Sequence, residues 1–341
     1  MNAFDRLCGS ATGPVGVAVS GGGDSLALLL LAQEWAMAKD RQLIAFTVDH
    51  RLRPEAAEEA AGVAALCGRL QIPHQTLVWD TPAGKQAAAR RARHALMATE
   101  LKARGGTHLL LGHTEDDQCE TFLMRARQGS TWYGLAGMQP VSLSPVWPEG
   151  QGILLARPVL GYSREALRHV LLEAGQAWVD DPSNINPVYE RVRVRTLLAR
   201  RTRLKRRILA AQARLQQLRR LEERAMARWI EQNVTTDADT GRFEVSLHGL
   251  PPERAERLIS LLIQIIAGRE VPPRRDGVQP LVSRLISEDR FEGATLGGAL
   301  IYRRSGQILL SAEPAVTGAE ADFCRAKVRL AAIMALYCSQ T

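Results

Sequence analysis

The chain is short of several features that would each have decided its class. Its five cysteines (Cys8, Cys67, Cys119, Cys324 and Cys338) are odd in number and none are spaced C-x-x-C. That argues against a disulfide framework or a zinc site and fits a reducing, cytoplasmic setting. No apolar run reaches the ~18 residues of a membrane span; the longest lie near Leu26–Ala32 and Leu258–Ala267. The first residues, MNAFDRLCGSATG, lack a basic start followed by an apolar stretch, so no signal peptide is expected. Aromatic residues are only 5% of the chain, and no internal repeat or low-complexity segment is visible.

What the chain has in excess is positive charge. Lys and Arg number 44 against 36 Asp and Glu, a net +8, which points to an anionic partner. The excess is concentrated. Between Glu190 and Arg228 there are 14 Lys or Arg and 3 Glu, a balance of +11, so the rest of the chain carries −3. A solvated helical face usually alternates its signs; this one reads instead as a footprint for a phosphate backbone. Few aromatics are interleaved with it, so a stacking platform of the single-strand-binding kind is not expected. A folded RNA held by its backbone fits better. A second basic cluster, Lys85, Arg90, Arg91 and Arg93, falls on an Ala-rich segment predicted as a helix over Gly84–Arg104, where Arg90 and Arg93 share a face.

Residues 1 to about 190 alternate strand-like and helix-like stretches. Val15–Ser20, Leu43–Asp49, Gln75–Trp79, His108–Gly112 and Gly152–Pro158 read as strands; Asp24–Ala38, Glu55–Leu70, Glu115–Arg127 and Ser163–Ala174 read as helices, the last with Ser163 as N-cap. Alternating βα units predict an α/β fold with a Rossmann-like parallel sheet, whose ligands bind outside the carboxyl ends of the strands. Thr196–Gln232 is expected to be one long basic helix, and the remainder a smaller α+β domain with helices near Pro251–Ala267 and Val278–Ser287 and a hairpin within Gly293–Ser311. The expected division is therefore 1–195, a linker helix 196–232, and 233–341.

The strongest local signal is Ser20-Gly21-Gly22-Gly23-Asp24-Ser25, between a strand and a helix. Three glycines let the backbone turn tightly, and the helix that follows aims free N–H groups at whatever lies there. Ser20 and Ser25 add hydroxyls, completing a cradle for a phosphate chain. No G-K-S/T follows and the spacing is not G-x-G-x-x-G, so neither a Walker A loop nor a dinucleotide fingerprint is present. The pattern fits S-G-G-x-D-S, the pyrophosphate loop of PP-loop ATP pyrophosphatases. Asp24 beside a phosphate site would repel it unless Mg²⁺ bridged the two.

His113-Thr114-Glu115-Asp116-Asp117 closes another strand on the same edge. Helix-dipole complementarity accounts for Glu115; Asp116 or Asp117 is expected to hold Mg²⁺, and His113 to touch a phosphate or the substrate. Val48-Asp49-His50 ends a third strand there, in reach of a ribose or base.

Taken in order, these motifs resemble the tRNA(Ile)-lysidine synthase family. SGGGDS is similar to its pyrophosphate loop. VDHRLR (Val48–Arg53) resembles V-D-H-G-L-R with Arg51 for Gly, and AARRARH (Ala88–His94) resembles A-R-x-x-R-Y with His94 for Tyr. LGHTEDDQCET (Leu111–Thr121), YGLAGM (Tyr133–Met138), RPVL (Arg157–Leu160), WVDDPSN (Trp178–Asn184) and YERVRVR (Tyr189–Arg195) resemble later blocks, with Asn186 where Asp is usual and Val192 where Asn is usual.

The resemblance implies the adenine-nucleotide-α-hydrolase-like fold and an AMP-forming ligase. Lysine would be joined to C2 of the wobble cytidine of an isoleucine tRNA with anticodon CAU, through an adenylated cytidine. ATP would lie on Ser20, Gly21, Gly22, Gly23, Asp24, Ser25, Val48, Gly112 and His113. Asp24, His113 and Asp117 would be catalytic, with Mg²⁺ on Asp24, Asp116 and Asp117. Arg90, Arg93, Asp181, Asn184, Arg191 and Arg195 would bind tRNA or substrate, and the lysine amine would fall to Asp116, Asp117, Asp180 or Asp181. The resemblance leans towards a homodimer. Alternatives are another PP-loop tRNA-modifying enzyme such as a 2-thiocytidine synthetase, or a non-catalytic RNA-binding protein.

Overall fold

The computed structural model describes residues 2–51, 55–80, 86–179, 188–237, 241–288, 290–313 and 319–339. The chain divides into two compact units, residues 1–219 and 220–341. No helix among the described residues is long and apolar enough to cross a membrane.

The first unit begins with α1 (Ala3–Cys8), β1 (Val15–Ala18), α2 (Gly23–Ala38), β2 (Leu43–Asp49), α3 (Glu55–Arg69) and β3 (His74–Val78). It continues with α4 (Gln86–Ala103), β4 (His108–Leu110), α5 (Glu115–Arg127), α6 (Trp132–Leu135), β5 (Val141–Leu143), β6 (Leu154–Ala156), α7 (Arg164–Glu173) and α8 (Glu190–Ala199). Helix α9 (Thr202–Asn233) runs across the unit boundary. The sheet order is β3-β2-β1-β4-β6-β5, parallel except for β5 on the edge.

Strand periodicity divides this unit's core in two. Val15, Val17, Leu43, Ala45, Leu110 and Ala156 face one way, onto α2, α3 and α7; Ile44, Phe46, Leu109 and Leu155 face the other, onto Met97, Ala98 and Leu101 of α4. These alternating residues bury both faces, as a parallel sheet requires. Gly16 sits on the α4 side, where a Cβ would meet the side chains of Leu101, Leu109 and Phe46 at 3.1–3.2 Å. The chain winds outward from β1 towards β3 in one direction and from β4 towards β6 in the other. The crevice between the ends of β1 and β4 is therefore the switch point of the sheet.

The single helix expected over Thr196–Gln232 is instead two, broken at Arg200–Arg201. No Gly or Pro marks the break. Its cause is tertiary: Val194 and Leu198 of α8 and Ile208 of α9 join one cluster with Cys119 of α5. On a straight helix Leu198 and Ile208 would be ~15 Å apart and on different faces.

The second unit carries β7 (Val234–Asp237), β8 (Arg242–Val245), α10 (Pro252–Ile266), α11 (Arg275–Ser287), β9 (Ala294–Leu296), β10 (Ala299–Arg304), β11 (Gln307–Ala312) and α12 (Ala319–Ser339). Its antiparallel sheet is ordered β7-β8-β11-β10-β9. The expected hairpin is β10–β11, turning at Ser305 and Gly306, both with positive φ (50° and 80°), as a two-residue primed turn requires. Phe243, Ile301 and Leu310 pack with Leu258, Ile259 and Leu262 of the strongly amphipathic α10.

Candidate active site

The glycine loop sits at the end of β1. Gly21 takes φ 82°, a conformation that costs other residues energy. Ser25 holds the loop closed: its Oγ donates to the Gly22 carbonyl at 2.9 Å and accepts from the Ser20 amide at 3.1 Å. It is therefore a brace within the loop, while Ser20 is exposed. Helix α2 is capped by Gly22, which has no side chain to accept from its first-turn amides. Those amides and the positive end of the helix dipole are left for an anion. Gly23 lies against Leu171 and Trp178.

The end of β4 meets this loop directly. A Cβ on Gly112 would stand 3.1 Å from the Asp24 carbonyl oxygen and 3.3 Å from the Ser25 Cα. A side chain here would push the loop and the His113 segment apart by a few tenths of an ångström. Val48, on β2, is half-buried against the α4-side core.

Beyond Gly112 lies a cluster of carboxylates and guanidinium groups. Thr114 caps α5, and Asp117 completes a capping box with it: Asp117 Oδ2 accepts from the Thr114 amide at 2.8 Å and from its hydroxyl at 3.0 Å. The other oxygen, Oδ1, accepts from Arg164 Nη2 at 2.9 Å and Arg191 Nη2 at 2.7 Å. Arg164 also donates through Nε to Asp24 Oδ2 at 3.0 Å and approaches Glu120 Oε1 through Nη1 at 3.4 Å. Glu120, one turn along α5 and 1% exposed, accepts from Arg191 Nε at 2.6 Å and Arg195 Nε at 2.9 Å. Asp24, Asp117 and Glu120 are thus matched by Arg164, Arg191 and Arg195. Arg164 joins phosphate loop to carboxylate helix.

Asp116 lies on another side of α5. Its Oδ2 accepts from the Arg164 backbone amide at 2.7 Å, and its Oδ1 pairs with Lys205 of α9. Burial works against its charge, but the Arg164 amide and Lys205 more than compensate, so its pKa falls below the usual carboxylate value. Asp24 is the opposite case. Burial raises its pKa, and the Arg164 charge offsets only part of the effect.

Around His113 a second group of residues brings together cations and neutral histidines. Arg93 donates to His50 Nε2, through Nε at 3.3 Å and Nη2 at 3.2 Å. Arg90 and Arg93 are solvent-exposed, yet surrounding protein depresses both pKa values, with further depression from Arg191 and Arg90 respectively. Arg157 is buried, donates to the Gln139 carbonyl at 2.8 Å and Ser142 Oγ at 3.1 Å, and has its pKa pushed down to about 10 by burial and then by Arg90. His113 and His94 are each pushed down to about 3, by burial first and by the arginines after it, so both are neutral at pH 7. The buried Nδ1 atoms of His50, His94 and His113 and the Nε of Arg157 have no hydrogen-bond partner among the described residues.

Ser20–Ser25, Gly112, His113 and Asp117, expected from the sequence, are therefore drawn around one loop, with Arg90 and Arg93 near His113. Arg191 and Arg195 turn their guanidinium groups into the carboxylate cluster. Asp180, Asp181 and Asn184 lie outside the described residues. Glu120, Arg164, Arg157 and Lys205 were not anticipated. Glu120 has a local signal, three residues after Asp117 on one helical face; Arg164 has none.

On α9, Arg203, Arg206, Arg207 and Arg214 are exposed, while Lys205, Ile208, Gln212 and Gln216 turn inward. The outward stripe carries no acid between Arg200 and Leu221.

A family model described as a PP-loop domain matches residues 4–202. The chain is 52% identical over 309 residues to a tRNA(Ile)-lysidine synthase of Hyphomonas neptunium, covering 91% of this chain and 83% of that one. It is 48% identical over 195 residues to the Zymomonas mobilis protein of the same name, covering 56% and 57%. A third, from Caulobacter vibrioides, is 35% identical over 302 residues, covering 87% and 66%. With the PP-loop model over more than half of its length and its motifs gathered round one crevice, the chain belongs to the tRNA(Ile)-lysidine synthase family of PP-loop proteins.

Proposed function

We propose that the chain is an ATP-dependent ligase that joins L-lysine to C2 of the wobble cytidine in an isoleucine tRNA of anticodon CAU, releasing AMP and pyrophosphate. The observation that carries the reading is the Arg164 bridge: one guanidinium links the phosphate loop, through Asp24, to Asp117 and Glu120. A nucleotide held by its phosphates on that loop has its α-phosphorus beside the carboxylate cluster.

The triphosphate lies on the Gly21–Asp24 amides with the Ser20 hydroxyl, Gly112 and His113 beside it, and the adenosine reaches towards Val48. Cytosine O2 attacks the α-phosphorus and pyrophosphate departs, its charge met by preorganised amides. Asp24 and Asp117 are hard oxygen donors suited to Mg²⁺, and the raised pKa of Asp24 fits a group that a cation would complete. When bound, that ion would neutralise phosphate charge. Both oxygens of Asp116 and both of Asp117 already have partners, so either would exchange one of them to hold the ion, and Asp24 would be the principal ligand.

In the second step the lysine ε-amine attacks C2, loses a proton, and AMP leaves with the original O2. A free ammonium has a pKa of ~10.4. The amine must therefore shed its proton, by desolvation or to a nearby base, before it attacks. The outward arginines of α9 suit a tRNA backbone, and Arg90 and Arg93 suit a phosphate nearer the reacting base. Cytoplasmic residence and a homodimer follow from family resemblance alone.

The test is incorporation of radiolabelled lysine into an unmodified isoleucine tRNA transcript with ATP, with free cysteine as control. Lysine-dependent labelling with stoichiometric AMP is expected. Labelling from a sulfur donor, or none, would overturn the reading.

A further inference from the structure

Helix α6 is four residues long and buries none of them, yet it carries Trp132 and Tyr133, two of only eleven Trp and Tyr residues in the chain. Apolar aromatic surface of this kind normally goes to the core, because it is the largest hydrophobic area a residue offers. Here both rings are half-exposed and meet edge to face at 5.7 Å. The guanidinium of Arg219 lies 4.2 Å from the Tyr133 ring centre.

The turn is nevertheless held firmly, from below. Gln118 pairs with the backbone of Met138 in both directions, its Nε2 donating to the carbonyl and its Oε1 accepting from the amide, each at 2.8 Å. Gln216 Nε2 donates to the Ala136 and Met138 carbonyls, each at 3.1 Å, and Arg125 Nη1 donates to the Gly134 carbonyl at 2.6 Å. Gly137 has φ 75°, and a Cβ there would lie 2.6 Å from both Gln118 Oε1 and Gln212 Nε2. The glutamine clamp thus needs a glycine. The outcome is a rigid aromatic pair presented on a scaffold of polar bonds.

Its surroundings suit nucleic acid. Residues 128–140 contain no charged side chain, Arg125 and Arg127 precede them, and Arg219 covers Tyr133. Arg125 and Asp117 are eight residues apart on α5, so the turn stands ~12 Å along the helix from the carboxylate cluster, a distance that a few nucleotides of unpaired RNA span. The geometry points to the Trp132–Tyr133 turn as a stacking contact for a second unpaired base of the RNA, near the base that reacts and separate from it. This rests on the RNA substrate proposed above. Aromatic side chains stack any base face, so the contact contributes affinity and position more than sequence choice.

The test uses full-length protein and unmodified isoleucine tRNA transcript. Trp132→Ala is expected to raise the KM for tRNA about tenfold, with Trp132→Phe restoring most of it. The KM values for ATP and lysine and the melting temperature stay as in wild type. Binding of an anticodon stem-loop RNA should quench tryptophan fluorescence more in wild type than in Trp132→Phe. An unchanged tRNA KM for Trp132→Ala, with equal quenching in both proteins, overturns the proposal. So does a rise in all three KM values together with a lower melting temperature, which would make the pair structural. Wild-type protein that incorporates no lysine would refute the ligase reading, whereas the quenching comparison does not depend on that chemistry.

Discussion

Two groups of side chains meet near His113, and they treat charge in opposite ways. In the cluster of Asp24, Asp117 and Glu120, every carboxylate meets a guanidinium. Around Arg90, Arg93, Arg157 and the histidines, positive charge is crowded, pKa values are pushed down, and buried nitrogens have no partner among the described residues. The first derives its geometry from internal ion pairs. The second is held at an energetic cost that an anion would relieve.

If that contrast is right, variants in the two groups fail differently. The largest effect is expected from Glu120→Gln. Removing the buried charge that three arginines share should cost roughly 3 kcal/mol of stability, seen as a lower urea midpoint. A wild-type midpoint would mean the cluster is not a structural frame. Asp24→Ala falls in the first group. It should lower tRNA-dependent ATP–pyrophosphate exchange by ~10²–10³-fold with the fold retained, and wild-type exchange would remove Asp24 from the chemistry.

Arg90→Gln, in the second group, should leave the melting temperature unchanged or higher, since it relieves like-charge crowding, while weakening binding of ATP or tRNA about tenfold. A loss of stability with unchanged binding would reverse the contrast. A pH slope probes the same contrast. His94 has its pKa lowered from 6.5 to about 3, so the unfolded chain takes up a proton below pH 6.5 that the folded chain refuses. Stability should therefore fall as pH drops through that window, by up to ~1.4 kcal/mol per unit for this group. His94→Tyr, which restores the residue usual in the family pattern, should flatten the acid limb by one proton. An unaltered limb would place His94 in contact with solvent.

The strand–loop–helix of the phosphate site was legible because its signals are local: an apolar β-branched run, three glycines and a helix former. Glu115–Arg127 was legible to the residue, and its Thr114 cap and three first-turn acids explain why. The division of labour between Asp116 and Asp117 was not, because neighbours in sequence are about 100° apart round a helix and only the fold decides that one meets Lys205 and the other Arg164. The break at Arg200–Arg201 is likewise the product of a cluster shared by three helices. Arg164 looks like any helix-starting arginine until β4 and α7 bring it between Asp24 and Asp117. Arg51 takes φ 50° where the family pattern has glycine, so the motif tolerated a residue whose backbone cost the sequence does not display.

The central claim is that the amides of Gly21–Asp24 grip the phosphates of ATP beside the carboxylate cluster. A crystal structure with a non-hydrolysable ATP analogue and magnesium tests it most directly. The account predicts β- and γ-phosphate oxygens within hydrogen-bond distance of those amides and the α-phosphorus facing Asp24 and Asp117. Electron density for the triphosphate elsewhere, with the loop bare, would contradict it.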